Sequence, residues 1–188
     1  MIDSTLCTPE DLKLIEGCKR GDRRSQRELY DKYASRMYSV CIRYMGDRES
    51  AKDVLQDGFI TLFDKISLYK GEGSFEGWIR RIFANTALMQ LRKKDVLKES
   101  EEIDPQRNIV LSQNNVVEQL ESKELLNLIT QMPAGYRAVF NMYIFEGMPH
   151  EEIAKVLGIT VGASRSQLSR GRLWLQERVK NMGYRTNG

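Results

Sequence analysis

Residues 151–175 constrain the fold of this chain more than any other part of its sequence. Apolar residues recur there at the spacing of one helical face, and the small Ala154 suits a close crossing of two helices. Gly158 favours the left-handed conformation that ends a helix, and Thr160 favours the start of the next one. The pattern predicts two helices joined by a tight turn, which is a helix-turn-helix.

The second predicted helix is basic. It carries Arg165, Arg170 and Arg172, and its own sequence has no acidic residue before Glu177. A recognition helix that lies in the major groove of DNA has this character. An ordinary helical hairpin with a solvated basic face has it too, so these residues alone leave both interpretations open.

Length and composition narrow the class of protein. The chain has 188 residues, of which 41% are hydrophobic and only four are proline, so we expect one or two folded domains that are mainly helical. Its apolar runs are too short to span a bilayer, so no membrane insertion is expected. No secretory signal is visible at the amino terminus, and the expected location is therefore the cytoplasm.

The residues that usually carry chemistry are sparse. Cys7, Cys18 and Cys41 lack the spacing of metal ligands, and free reduced thiols are the expected state. His150 is the single histidine, and its place beside Pro149 at a predicted helix start favours a surface position. No glycine-rich phosphate loop is present. The sequence therefore predicts no catalytic residue, no metal and no cofactor.

Charge is unevenly distributed along the chain. The net charge is +4 over residues 1–94, −5 over 95–124 and +4 over 125–188. Basic segments suit a polyanionic partner, and an acidic connector between them would avoid that partner. A solvated run of charge explains the connector equally well.

Four helices are predicted before residue 94. Thr8, Asp22, Asp47 and Ser74 each precede an apolar pattern of helical period, as capping residues do, and a loop is expected at 67–73. The many aromatic and methionine side chains on these faces indicate a packed core. Residues 1–94 are therefore predicted to form one compact helical domain.

The helical period is lost between residues 98 and 116, where polar residues dominate and Pro105 would break a helix. We therefore predict a flexible linker over 95–117. The period returns in a second domain over 118–188, which ends with the helix-turn-helix. The predicted fold is all-α, with two small helical domains.

Three segments resemble bacterial sigma factors. Residues 53–59, Asp-Val-Leu-Gln-Asp-Gly-Phe, are similar to their polymerase-binding stretch. Phe75 with 78–85 resembles their promoter-melting and minus-ten helix. Residues 133–140, Tyr143, 146–147 and 151–168 resemble their minus-thirty-five domain. Over residues 22–179 the chain is similar to a small two-domain sigma factor of the sigma-70 family, in the extracytoplasmic-function group.

The resemblance implies a transcription initiation factor that is not an enzyme. Its partners would be core RNA polymerase, promoter DNA and an anti-sigma protein that masks it. The positions that match the polymerase-binding residues are Asp53, Gln56 and Asp57. Carboxylates and an amide suit charge-assisted hydrogen bonds to arginines of a partner.

The resemblance also implies two sets of DNA-binding residues. Loop 69–74 matches the loop that captures a flipped base, and an aromatic ring there is suited to stacking on it. Trp78 is interpreted as a core anchor and is left out of the set. The minus-ten set is Tyr69, Lys70, Gly71, Ser74, Arg80, Arg81, Asn85 and Arg92, and the minus-thirty-five set is Arg165, Ser166, Ser169, Arg170 and Arg172.

The sequence departs from the family pattern at two positions of the recognition helix. Ser164 stands where a buried Val or Ile is usual, which predicts looser packing or a shifted helix. Gln167 stands where an Arg is common, so only a neutral contact is expected there. The chain also lacks the histidine-cysteine cluster of zinc-bearing regulators, which gives no support to redox control through zinc.

Two other classes of protein use a helix-turn-helix. A conventional DNA-binding regulator would need a sensor or dimer-forming domain in its amino-terminal half, where this chain has the loop and the pattern of 78–85. A site-specific recombinase would need a nucleophilic serine or tyrosine among arginines in a mixed sheet domain. The all-helical first half argues against the recombinase.

Overall fold

A computed structural model describes residues 7–93 and 122–182 of the chain. The predicted linker lies outside the described residues. Within the described ranges every regular element is helical, which confirms the predicted all-α fold. The chain divides into two compact units, with α1 to α4 forming the body of the first and α5 to α8 that of the second.

The first unit is built from four α-helices and a short 3-10 turn. Their bounds are Pro9–Lys19 (α1), Arg23–Met45 (α2), Arg48–Lys65 (α3), Ile66–Leu68 (the 3-10 turn) and Phe75–Lys93 (α4). Each helix start has the capping residue that the sequence predicts. Thr8 accepts from the backbone N–H of Asp11, Asp47 from that of Ser50 and Ser74 from that of Gly77, while Asp22 accepts from Arg24 and Ser25.

The core of the first unit is apolar and tightly packed. Leu29, Met37, Leu62, Phe75, Ile79 and Phe83 are almost completely buried. Gly58 on α3 lies against the ring of Phe83 on α4, where a β-carbon would collide with the ring. A glycine at this position therefore allows α3 and α4, which carry different predicted sites, to approach closely.

A buried carboxylate joins α1 to α2. Asp11 accepts hydrogen bonds from the Thr8 hydroxyl at 2.7 Å and the Tyr33 hydroxyl at 2.8 Å, and its carboxylate lies 2.9 Å from the Lys32 ammonium. Burial alone would raise the pKa of Asp11, but these three hydrogen bonds and the Lys32 charge outweigh it and lower that pKa. Asp11 is thus charged in the folded protein, and its contacts with Lys32 and Tyr33 hold α1 against α2.

The second unit is a bundle around one long helix. Its elements are Ser122–Gln131 (α5), Ala134–Phe140 (α6) with a π-helical continuation over Asn141–Phe145, His150–Leu157 (α7) and Val161–Asn181 (α8). Helix α8 packs against α5, α6 and α7. Its buried residues Leu168, Leu175 and Val179 fall on one face, which joins Ile129 and Ile153 in the core.

The three cysteines are free, as predicted, and Cys18 and Cys41 are buried. Burial raises the pKa of Cys18 to about 11 and that of Cys41 to about 12, so both remain neutral thiols. Over 7–93 and 122–182, no group of His, Cys, Asp and Glu side chains is arranged to hold a metal ion. No helix in those ranges is long and apolar enough to cross a membrane.

Candidate functional site

The turn between α7 and α8 has the predicted helix-turn-helix geometry. Gly158 ends α7 in the left-handed conformation, with φ of 69°. The Thr160 hydroxyl oxygen accepts from the backbone N–H of Ala163 at 3.0 Å and caps α8. Both helix-end assignments made from the sequence are confirmed.

The predicted DNA-reading residues lie on the side of α8 away from its core. Ser164, Leu168 and Gly171 are buried along one stripe of the helix. Arg165 and Ser166 are exposed, and Ser169, Arg170 and Arg172 are partly exposed. Helical geometry therefore places all five predicted residues on one continuous, partly exposed face of α8.

An acidic residue of α7 lies beside Arg165 of α8, although α8 itself has no acidic residue before Glu177. The Glu151 carboxylate on α7 lies 3.6 Å from the Arg165 guanidinium, and both side chains are exposed. Sequence reasoning missed this pair because the two residues are fourteen positions apart, and only the turn at Gly158 brings them together. Arg165 is thus already paired before any DNA is bound.

His150, for which the sequence favoured a surface position, is partly exposed and packs against two neighbouring side chains. Its ring stacks on Tyr143, with centroids 4.7 Å apart and planes 22° apart, and its Nδ1 lies 2.9 Å from the Ser164 hydroxyl oxygen. Burial, followed by the positive charges of Arg165 and Arg172, lowers the pKa of His150 despite the opposing charge of Glu151. His150 is therefore a partly buried, neutral packing partner of the recognition helix.

Ser164 is completely buried and hydrogen-bonded. The expectation of loose packing at this polar residue is therefore not met, because the hydroxyl has a partner on α7. The guanidinium of Arg172 lies over the ring of Tyr143 at 5.7 Å from its centroid. One of the predicted DNA-binding residues is thus in contact with the ring that supports His150.

Helix α4 carries part of the predicted minus-ten surface. Arg81, Asn85 and Arg92 are exposed and share one face by their spacing of four and seven residues. Arg80 is partly exposed, on a different face. Met89 lies between Asn85 and Arg92 on the same face with 61% exposure, and the sequence-based minus-ten set does not include it.

The loop before α4 is shaped by glycine. Gly71 and Gly73 have φ of 84° and 74°, a conformation that other residues rarely adopt. Lys70 is exposed within this loop, whereas the Ser74 hydroxyl is engaged in capping α4. The loop therefore offers backbone and a lysine to a ligand more readily than it offers Ser74.

Tyr69 is not an exposed ring. Only 3% of it is accessible, its hydroxyl donates to the Gly73 carbonyl at 2.8 Å, and its ring contacts Phe75 and Trp78 with centroids 4.9 and 5.3 Å away. Burial raises the pKa of Tyr69 to about 12. The structure therefore corrects the expectation of a free stacking ring, because Tyr69 is part of the packing that closes the loop.

The predicted polymerase-binding residues form one exposed patch on α3. Asp53, Gln56 and Asp57 are all exposed and share a helical face. Within the described ranges neither carboxylate forms an ion pair with another side chain. Their charges are available to a partner.

An apolar groove adjoins this patch. It has a volume of about 650 Å³ and includes Ile60, which is 55% exposed, and Tyr30, which is 41% exposed. The groove is lined by Tyr30, Tyr38, Lys52, Leu55, Gln56, Phe59, Ile60 and Phe63. Gln56 thus belongs to both the polar patch and the groove, which together make a mixed surface of the kind that binds proteins.

Two models of known protein families match this chain, and they match different parts of it. The model described as Sigma-70 region 2 matches residues 29–96, and the model described as Sigma-70, region 4 matches residues 122–175. The chain belongs to the sigma-70 family, in its extracytoplasmic-function group. It is an alternative sigma factor, a protein that directs promoter-specific initiation of transcription.

Relatives of similar length support the assignment. The chain is 28% identical to the RNA polymerase sigma-H factor of Pseudomonas aeruginosa over 89% of this chain and 92% of that protein. It is also 28% identical to the extracytoplasmic-function sigma factor SigW of Bacillus subtilis, over 90% of this chain and 97% of that protein. Among solved structures, the sigma factor RpoE of Bartonella quintana shares the fold, with a TM-score of 0.50 and 19% identity over 82% of this chain and 96% of that one.

Proposed function

We propose that this sigma factor docks on core RNA polymerase through the α3 patch of Asp53, Gln56 and Asp57 and the apolar groove beside it. The two unpaired carboxylates suit basic side chains of a partner, and the exposed Ile60 supplies apolar area that would leave water on binding. Gly58 places this helix directly on α4, so docking would also fix the position of the predicted minus-ten surface.

We assign minus-ten recognition to loop 69–74 and α4. Arg81 and Arg92 suit phosphates of a single strand, and Asn85 suits the edge of an unstacked base. Lys70 and the backbone around Gly71 suit a base held in the loop. Tyr69 and Ser74 would act here by holding the loop in shape, and Arg80 would add charge at its margin.

We assign minus-thirty-five recognition to the exposed face of α8. Arg165 and Ser166 lie in its first turns, where a recognition helix meets base edges. Ser169, Arg170 and Arg172 follow along the same face and suit the groove wall and its phosphates. Arg165 would have to exchange the Glu151 carboxylate for a guanine edge, which offers two acceptors to a guanidinium.

In this proposal the protein is not an enzyme. It contributes binding surfaces to the catalytic machinery of the polymerase, and it acts in the cytoplasm because its partner acts there. The RpoE structure that shares this fold is a complex with an anti-sigma factor, and we propose a partner of the same kind for this chain.

One observation carries the proposal: a free acidic patch beside an apolar groove on one unit, in a chain whose other unit exposes a basic helix-turn-helix face. A conventional regulator has no need of the first surface. The test is transcription by core polymerase with and without the protein on a library of promoters randomised in the minus-ten and minus-thirty-five elements. We expect promoter-specific initiation only when core polymerase and this protein are both present. Sequence-specific footprinting of duplex DNA by the protein alone would favour the regulator instead.

A further inference from the structure

A polar contact lies within the crossing of the two helix-turn-helix helices. His150 begins α7, and its Nδ1 lies 2.9 Å from the hydroxyl of Ser164 in the second turn of α8. Ser164 is completely buried, and Ile153 and Leu168, one turn away on the same two helices, are buried as well. The imidazole therefore supplies a hydrogen-bond partner to a hydroxyl that is shielded from water.

The imidazole is held in place from a third element. Tyr143, in the π-helical continuation of α6, stacks on the His150 ring at 4.7 Å and 22°. The Arg172 guanidinium lies over the same tyrosine ring at 5.7 Å. Stacking limits the rotation of the imidazole, so that the direction of its Nδ1 is set by packing as well as by the hydrogen bond.

Ser164 is next in sequence to two of the residues proposed to read DNA. Ser164 immediately precedes Arg165 and Ser166, so a rotation of α8 about its axis at Ser164 changes the direction of both side chains. A purely apolar contact tolerates such a rotation because it is non-directional, whereas a hydrogen bond weakens as its angle departs from linearity.

We propose that His150 and Ser164 are positioning residues for minus-thirty-five recognition, whose hydrogen bond fixes the rotation of the recognition helix. In this proposal neither residue needs to contact DNA itself. They determine which base position Arg165 and Ser166 meet. The inference rests on the proposed role of α8, and it assigns part of the sequence specificity to a contact inside the protein.

The test measures preference and not only activity. Core polymerase with each variant of the full chain transcribes a promoter library randomised in the minus-thirty-five element. We expect His150→Ala and Ser164→Ala each to reduce the preference for the best sequence over its single-base variants by about 2- to 10-fold, the equivalent of one hydrogen bond. The double variant should lose little more, because the two residues act through one contact.

Two further variants separate positioning from stability. His150→Asn retains a polar atom near the place of Nδ1 and should restore most of the preference. Thr130→Ala removes a hydroxyl that bonds within α5, to the Asn127 carbonyl, and should leave the preference unchanged even if the unit becomes less stable. The pair of His150 variants carries the test alone should the Ser164 variant fail to fold.

The outcomes distinguish the two levels of inference. If the natural chain shows a minus-thirty-five preference and both alanine variants lower all promoters equally, the positioning role is wrong while the role of α8 stands. If the natural chain shows no minus-thirty-five preference, the proposed function of α8 fails and the positioning role fails with it.

Discussion

The carboxylate of Glu151 lies 3.6 Å from the guanidinium of Arg165, so the first helix of the helix-turn-helix supplies an acid to the helix proposed to read DNA. The pair is exposed, and such pairs contribute little to folding. Its larger effect is on DNA binding. Arg165 must give up its ion pair with Glu151 before it contacts a base, and the negative Glu151 carboxylate then lies close to the negative phosphates.

Glu151→Gln is therefore expected to strengthen binding to promoters with an intact minus-thirty-five element, by about 2- to 5-fold from the loss of one exposed pair. Glu152→Gln is the matched control, since it removes the same charge from the next position of α7 without touching Arg165. The measurement is a titration of promoter complex with polymerase containing each variant. An equal gain from both variants would mean that net charge alone is responsible.

Arg165 and Arg172 are expected to differ in what they read. Arg165→Ala should cost ~1–3 kcal/mol at one minus-thirty-five position and relax the preference there. Arg172→Ala should weaken all promoters about equally and lower the slope of log affinity against log salt by roughly one. A promoter library and a salt series measure the two effects, and a uniform loss for both variants would remove Arg165 from base reading.

The α3 patch is expected to control affinity for core polymerase. Charge reversal at Asp53 and Asp57 together should weaken binding by ~2–5 kcal/mol, the cost typical of losing one partner of interfacial charge pairs. Glu16→Lys with Glu28→Lys makes the same change in net charge on α1 and α2, at residues that do not line the groove. A pull-down with core enzyme measures the binding of the two double variants. An equal loss of binding in both would mean that net charge, and not the α3 patch, is responsible.

Two glycines are expected to respond to alanine with opposite signs. Gly58→Ala places a methyl group against the Phe83 ring and should lower the free energy of unfolding of the first unit by ~1–3 kcal/mol. Gly77 lies in the first turn of α4 and has only Ser74 nearby, at 3.6 Å, so Gly77→Ala should raise that free energy by ~0.5–1 kcal/mol. Urea titrations of the full chain measure both, and a neutral Gly58→Ala would show that α3 and α4 can separate without cost.

The stability of the first unit is expected to depend on pH through Asp11. Its pKa is lower in the folded state than the ordinary value of 3.8, so its contribution is present above pH ~4 and is lost as the pH falls through the folded pKa. Asp11→Asn should lower the free energy of unfolding by ~1–3 kcal/mol near neutral pH. The difference in free energy of unfolding between the natural protein and Asp11→Asn should disappear once the pH falls below the folded pKa of Asp11. A difference that does not change with pH would mean that altered packing, and not the lost charge, destabilises the variant.

Much of the secondary structure was determined by the sequence alone. Thr8, Asp47, Ser74 and Thr160 cap their helices as predicted, and Gly158 ends α7 in the left-handed conformation. These features are local: a capping side chain and its backbone donors are three residues apart, so short segments of sequence specify them. The family motifs at 53–59 and 78–85 also placed the predicted surfaces on the helices where the structure has them.

The tertiary structure decided what those surfaces present. Tyr69 is buried among Phe75 and Trp78, Arg165 is paired with Glu151, and His150 is bonded to Ser164. Whether a ring is exposed, or a charge has a partner, depends on which helix packs beside it. Helical period reports only the face on which a residue lies and not what covers that face, and for this physical reason the polar contacts within the helix-turn-helix came from the fold.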